Sequence, residues 1–96
     1  MNHDTFLKAA RKLREQGGRL MTFTVMSGRS RQEFDLCYYF EVDGEVKTLE
    51  TRTVRRSAPS LFSYFSNSDF SEREVNQDLK IKFVGNPNLQ VEGEEP

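Results

Sequence analysis

The stretch EFDLCYYFEVDGEVKTLETRTV, residues 33–54, decides the fold. Its first half alternates with period two. Phe34, Leu36, Tyr38 and Phe40 share one face, while Asp35, Cys37, Tyr39 and Glu41 take the other. That is the pattern of a strand with a core side and a polar side. Asp43-Gly44 follows, a strong hairpin signal because a type I′ turn needs positive φ at both central residues. EVKTLETRTV, residues 45–54, then reads as the returning strand, its outward face charged.

Working outward, RLMTFTVM (19–26) alternates Leu20, Thr22, Thr24 and Met26 with Met21, Phe23 and Val25. This predicts a third antiparallel strand, covered on both faces near its middle. SGRSRQ (27–32) is a polar turn between the strands. Before them, residues 4–16 carry Phe6, Leu7, Ala10 and Leu13 at helical spacing. Asp4 is the expected N-cap, and Gly17-Gly18 the expected stop.

Downstream, RRSAPSLFSYF (55–65) reads as a loop and a short helix opening near Pro59, a residue tolerated in a first helical turn. Leu61, Phe62, Tyr64 and Phe65 require cover. A second short helix is expected over Phe70–Leu79, with Ser68, Asp69 and Ser71 as candidate caps and capping-box spacing in DFSE and SERE. KIKF (80–83) predicts a short extended segment, and GNPNLQVEGEEP (85–96) a turn running into an acidic end. The expected fold class is α+β: an N-terminal helix, a three-stranded antiparallel sheet, two short helices and a short extended C-terminal segment. Residues 1–90 are expected to form one domain and 91–96 a flexible acidic tail.

Composition narrows the chemistry. The 96 residues suffice for one domain. Fourteen basic against 15 acidic residues leave a net charge of −1, which disfavours a dedicated nucleic-acid binder. The sequence has no apolar N-terminal run resembling a signal peptide and none long enough to span a membrane. One cysteine, Cys37, has no partner for an intramolecular disulfide, so a reducing compartment is expected. One cysteine and one histidine, His3 near a terminus expected to be mobile, do not build a zinc or iron–sulfur site. No cofactor is expected. Cys37 reads as a structural thiol mid-strand. Glu72 and Glu74 resemble an acid/base pair only superficially. Two residues apart on a helix they point about 200° apart and do not converge. Their simpler role is to favour the helix dipole. Arg52, Arg55 and Arg56, with Arg29 and Arg31, form a basic cluster. Beside an exposed Tyr38 or Tyr39 it would suit single-stranded nucleic acid. A solvated edge or protein-contact rim explains it more simply.

APSLFSYFSNSDFSEREVNQDLKIKFVGNPNL, residues 58–89, resembles the signature region of a known family. This is the thirty-kilodalton subunit family of respiratory complex I and of its bacterial counterpart, NADH–quinone oxidoreductase. It includes the matching small subunits of energy-converting membrane-bound nickel–iron hydrogenases and formate hydrogenlyases. Pro59 and Ser60 fit its proline–serine element. Phe70 stands where tryptophan is usual. Glu72, Arg73 and Glu74 fit its Glu-Arg-Glu triplet, and Ile81, Phe83, Gly85, Pro87 and Leu89 its final run. Looser similarity extends upstream to about residue 17. Gln77 stands at the family's aspartate, with Asp78 one later. Lys80 replaces a glycine that ends the helix, and Asn86 a histidine. The sequence ends soon after Leu89, which suggests a short, diverged member.

The resemblance implies a non-catalytic, cofactor-free interaction subunit of a membrane-associated oxidoreductase. Its partners would be the catalytic large subunit and the iron–sulfur subunit. Its place would be the cytoplasmic face, peripheral to the membrane. Partner contact would fall on Pro59, Ser60, Phe70, Glu72, Arg73, Glu74, Asp78, Gly85 and Pro87. The alternative reading is a stand-alone α+β adaptor for another protein or single-stranded nucleic acid.

Overall fold

The computed structural model describes residues 1–28 and 33–89. In chain order it contains α1 (His3–Glu15), β1 (Arg19–Ser27), β2 (Phe34–Val42), β3 (Glu45–Arg52), β4 (Ser57–Pro59), α2 (Ser68–Leu79) and β5 (Lys82–Val84). β1, β2 and β3 form an antiparallel meander, and β4 and β5 a two-stranded parallel pair. The architecture is the expected α+β. The 27–32 turn expectation lies mostly outside the described residues, as do Arg29, Arg31 and the acidic end.

α1 buries Phe6 and Ala10, with Leu7 and Leu13 packed beside the core. Its N-cap is Asn2 rather than Asp4: the Asn2 carboxamide oxygen accepts from the Thr5 N–H at 2.7 Å. Asp4 falls in the first turn, 3.3 Å from Lys8. The helix closes as expected at Gly17, φ 82°. The Gly17 N–H donates to Arg14 O at 3.0 Å and the Gly18 N–H to Leu13 O at 2.8 Å, the two bonds of a Schellman motif. His3 is the first residue of α1, half-buried, with Nε2 2.7 Å from the Arg52 carbonyl, not on a loose end.

β2 follows its sequence period: Leu36, Tyr38, Phe40 and Val42 are buried. β1 does not. Leu20 pairs with Phe40 and Thr22 with Tyr39, so Met21 is an extra residue bulged out of the ladder. The bulge reverses the alternation and brings Leu20 and Phe23 to one face. Thr22, Thr24 and Met26 are not buried. β1 is therefore covered on one face only, not on both. Asp43 and Gly44 adopt φ 51° and 81°, the left-handed pair that the Asp-Gly turn requires.

The core lies between the inner face of the sheet and a layer made by α1, β4, the 61–65 turn and β5. Phe6, Phe23, Tyr38 and Phe40 pack there against Leu61, Phe65, Ile81 and Phe83. Phe23 stacks on Tyr38 with ring centroids 4.6 Å apart. The first of the two expected short helices is absent. Ser57–Pro59 is a strand, and 61–65 makes one turn, closed by Tyr64 and Phe65 N–H bonds to Leu61 O at 3.0 and 2.7 Å. The cause is β5. Its Lys82 N–H donates to Arg56 O at 2.8 Å and Val84 O accepts from the Ser60 N–H at 2.9 Å. In a parallel ladder alternate residues bond, and Pro59 occupies the position that needs no donor.

Candidate functional site

α2 divides the family-like signature into an inner and an outer face. Ser68, Glu72, Val75, Asn76 and Leu79 recur at helical spacing and face inward; Phe70, Arg73, Glu74, Gln77 and Asp78 face water. The 200° separation predicted for Glu72 and Glu74 places one inside and the other outside.

Glu72 is 0% exposed. Its carboxylate accepts from Ser60 Oγ at 2.6 Å, the Leu61 N–H at 2.9 Å and Asn86 Nδ2 at 2.9 Å. Ser60 Oγ in turn accepts from the Phe62 N–H at 3.0 Å. One carboxylate thus joins the end of β4, the 61–65 turn, α2 and the turn after β5. Three donors offset the cost of burying it. The proline–serine element and the Glu-Arg-Glu triplet lie 12 residues apart in sequence, and the Ser60–Glu72 bond is where they meet. Glu72 therefore does not serve as a solvent-facing acid favouring the helix dipole, because its oxygens are spent on other segments. The nearby Tyr38 phenol is buried without a hydrogen-bond partner. Burial, and secondarily the Glu72 charge, hold its pKa well above the ordinary value, so it stays neutral.

A second network rims this anchor. Asp69 Oδ1 accepts from Asn86 Nδ2 at 3.1 Å and Asn88 Nδ2 at 3.2 Å; its Oδ2 lies 3.2 Å from Arg73 Nε. Partial burial opposes ionisation of Asp69, but the Asn88 and Asn86 amides and Arg73 outweigh it and hold the carboxyl below its usual pKa. Arg73 and Asp69 thus pair four residues apart along the helix. The expected caps are absent. α2 begins at Ser68, two residues earlier than predicted, behind Asn67, whose side chain makes no cap bond and donates instead to Leu20 O at 2.9 Å.

Of the predicted contact residues, the structure brings Phe70, Arg73, Glu74, Asp78, Gly85 and Pro87 to the surface and leaves Pro59, Ser60 and Glu72 buried. Phe70 is 63% exposed, unusual for a phenylalanine on a helix. Being buried, Pro59, Ser60 and Glu72 offer little surface of their own. Asn86 is the member of the anchor that sequence reasoning did not assign. The signal for Glu72 was its place three residues before Val75 and seven before Leu79, on the apolar stripe.

The remaining candidates disperse. Arg52 pairs with Asp35 at 2.9 Å across the outer sheet face. Arg56 Nη1 donates to Leu79 O at 2.7 Å, and its guanidinium lies 5.8 Å from the Phe34 ring centre. Tyr38 is fully buried, so it offers no stacking platform; Tyr39 is half-exposed. Cys37 is half-exposed on the outer sheet face, its Sγ 4.0 Å from a Glu50 carboxylate oxygen. Among the described residues no group of His, Cys, Asp or Glu gathers as a metal site. Nor, among them, is any helix long and apolar enough to cross a membrane.

Residues 1–91 match the family described as respiratory-chain NADH dehydrogenase, 30 Kd subunit. No curated protein matches the chain. The match covers nearly the whole sequence, and the chain belongs to that family.

Proposed function

We propose that this member of the 30 Kd subunit family is a non-catalytic structural subunit of an NADH dehydrogenase-type or membrane-bound hydrogenase assembly. It packs the outer face of α2 against the catalytic large subunit, beside the iron–sulfur subunit. The assembly holds it at the cytoplasmic face, peripheral to the membrane. The observation that carries this reading is the combination on α2 of a solvent-exposed Phe70 and a buried Glu72. The exposed ring and the neighbouring Arg73 are residue types favoured at interface centres. They are fixed in place by a carboxylate that ties four segments together. A docking surface gains affinity when its geometry is set before binding.

The test is co-purification of the tagged chain from native membranes. Wild type is expected to recover a large oxidoreductase subunit. Phe70→Ala is expected to lower that recovery at least about tenfold, within the range of a buried aromatic anchor, while the melting temperature stays near wild type. Recovery unchanged by Phe70→Ala overturns the assignment of this face.

A further inference from the structure

We infer that the turns at Arg55-Arg56 and Lys80 form a second docking surface, one that takes an acidic segment of a partner protein. Among the described residues, four non-glycine residues have positive φ: Asp43, Arg55, Arg56 and Lys80. Asp43 belongs to an ordinary Asp-Gly turn. The other three are all cations, in conformations that side-chain-bearing residues adopt only at a cost. Val54 and Ser57 exchange both backbone bonds, at 2.8 and 2.9 Å, around Arg55 and Arg56. This is the tight turn in which asparagine and glycine are preferred.

The two strained turns are one site. Arg56 O accepts from the Lys82 N–H at 2.8 Å, and Arg56 Nη1 donates to Leu79 O at 2.7 Å, next to Lys80. Arg55, Lys80 and Lys82 are exposed there. Among the described residues Lys8, Arg11, Arg19, Lys47, Arg52 and Arg73 each have a carboxylate partner, whereas Lys12 and Arg14 on α1 and Arg55, Lys80 and Lys82 have none, and only the last three gather beside the left-handed turns at 55–56 and 80. Strained backbone retained at Arg55 and Lys80, which carry charge without a carboxylate partner, points to a use for that charge. Val54 and Val84, 59% and 57% exposed, flank the cations on the same two elements. An apolar contact beside three cations suits a peptide of alternating acidic and aliphatic residues better than bare phosphate. This surface lies beyond the C-terminal end of α2, and the inference does not depend on how the Phe70 face is used.

The probe is a fluorescein-labelled synthetic peptide of alternating glutamate and valine, titrated with the full chain at low salt and read by anisotropy. Arg55→Asn with Lys80→Gly removes two cations while relieving both turns. Its melting temperature is expected to rise and its peptide affinity to fall about 3- to 10-fold, the scale of two exposed ion pairs. Lys12→Glu, on α1, is expected to leave binding unchanged. Wild-type binding that both the double variant and Lys12→Glu weaken alike overturns the site. So does binding of phosphatidylserine vesicles or oligothymidine in preference to the peptide.

Discussion

The two helices end differently. α1 stops at Gly17 with φ 82°, and both bonds of its closing motif are local. α2 stops at Lys80 with φ 60° and ψ 32°, one backbone bond to Asn76 O, and help from one local and one distant side chain. Asn76 Nδ2 donates to Ile81 O at 2.9 Å, and Arg56 reaches across from the preceding hairpin to Leu79 O. The same contrast separates the halves they belong to. The α1–sheet half closes α1 and the 43–44 hairpin with glycine and buries no charged side chain among the described residues. The α2–β4–β5 half holds left-handed arginines and lysine and buries a carboxylate. The first half ends its helix and its Asp43-Gly44 hairpin by local conformational preference, the second ends its helix and β4 with bonds between segments far apart in the chain. Both proposed docking surfaces lie on the second half.

The sharpest way to break this comparison is to remove the buried anchor. Glu72→Ala removes the acceptor of the Leu61 N–H, of the Ser60 hydroxyl and of one of the two Asn86 amide bonds, at about 1–3 kcal/mol for each group that water does not reach. A total loss of about 3–5 kcal/mol is expected, a fall of at least about 12 °C for a domain of this size. Thermal unfolding followed by circular dichroism measures it. A fall under about 3 °C would mean that the half is not held by Glu72 at all.

The helix ends supply a paired test with opposite signs. Gly17→Ala places a Cβ in open space but on a left-handed backbone, and is expected to cost about 1 kcal/mol. Lys80→Gly relieves a strain of about 1 kcal/mol against a somewhat smaller gain in unfolded-state entropy. A net stabilisation of a few tenths of a kcal/mol follows, read from urea midpoints. Destabilisation by Lys80→Gly would show that tertiary contacts have made the left-handed lysine comfortable.

Arg73→Ala sharpens the contrast between the inner and outer faces of α2. Its pair with Asp69 is half-exposed and worth about 0.3–0.5 kcal/mol, so melting is expected to shift by only a few degrees while subunit recovery from membranes drops. A large stability loss with intact recovery would make Arg73 scaffolding.

Asp69 gives the smallest effect and a defined sign. Its folded pKa is lowered, so its contribution is complete above the unfolded value of about 3.9 and is lost as pH falls through the folded value. Asp69→Asn is therefore expected to flatten the acid limb of stability below about pH 4 and to leave the slope near neutrality unchanged. A changed slope between about pH 6 and 8 would refer the dependence to another group.

Much of the fold was legible in the residues. Alternation in 34–42, Asp43-Gly44 and the apolar spacing of Phe6, Ala10 and Leu13 are local features, and local sterics and solvation suffice to read them. Within α2 the spacing alone put Glu72 and Glu74 on opposite faces. It did not show which was inside, because a carboxylate is buried only where donors from elsewhere meet it. Position 80 was marked only by the family resemblance, through the glycine that Lys80 replaces, and the left-handed angle itself is seen in the structure.

Three features depended on tertiary structure. The Met21 bulge exists because the β1–β2 register must bring both Leu20 and Phe23 to the core, and no period within β1 states that. Pro59 is in a strand rather than a helix because Lys82–Val84, more than 20 residues later, supplies its partner. A three-residue strand has too little pattern of its own to announce a pairing. Glu72 is an anchor rather than a surface acid because Ser60, Leu61 and Asn86 converge on it from both sides of the sequence. Residue order and period set the local angles and the two faces of each element. Hydrogen bonds between distant segments, strongest where water is excluded, decided which polar groups went inside.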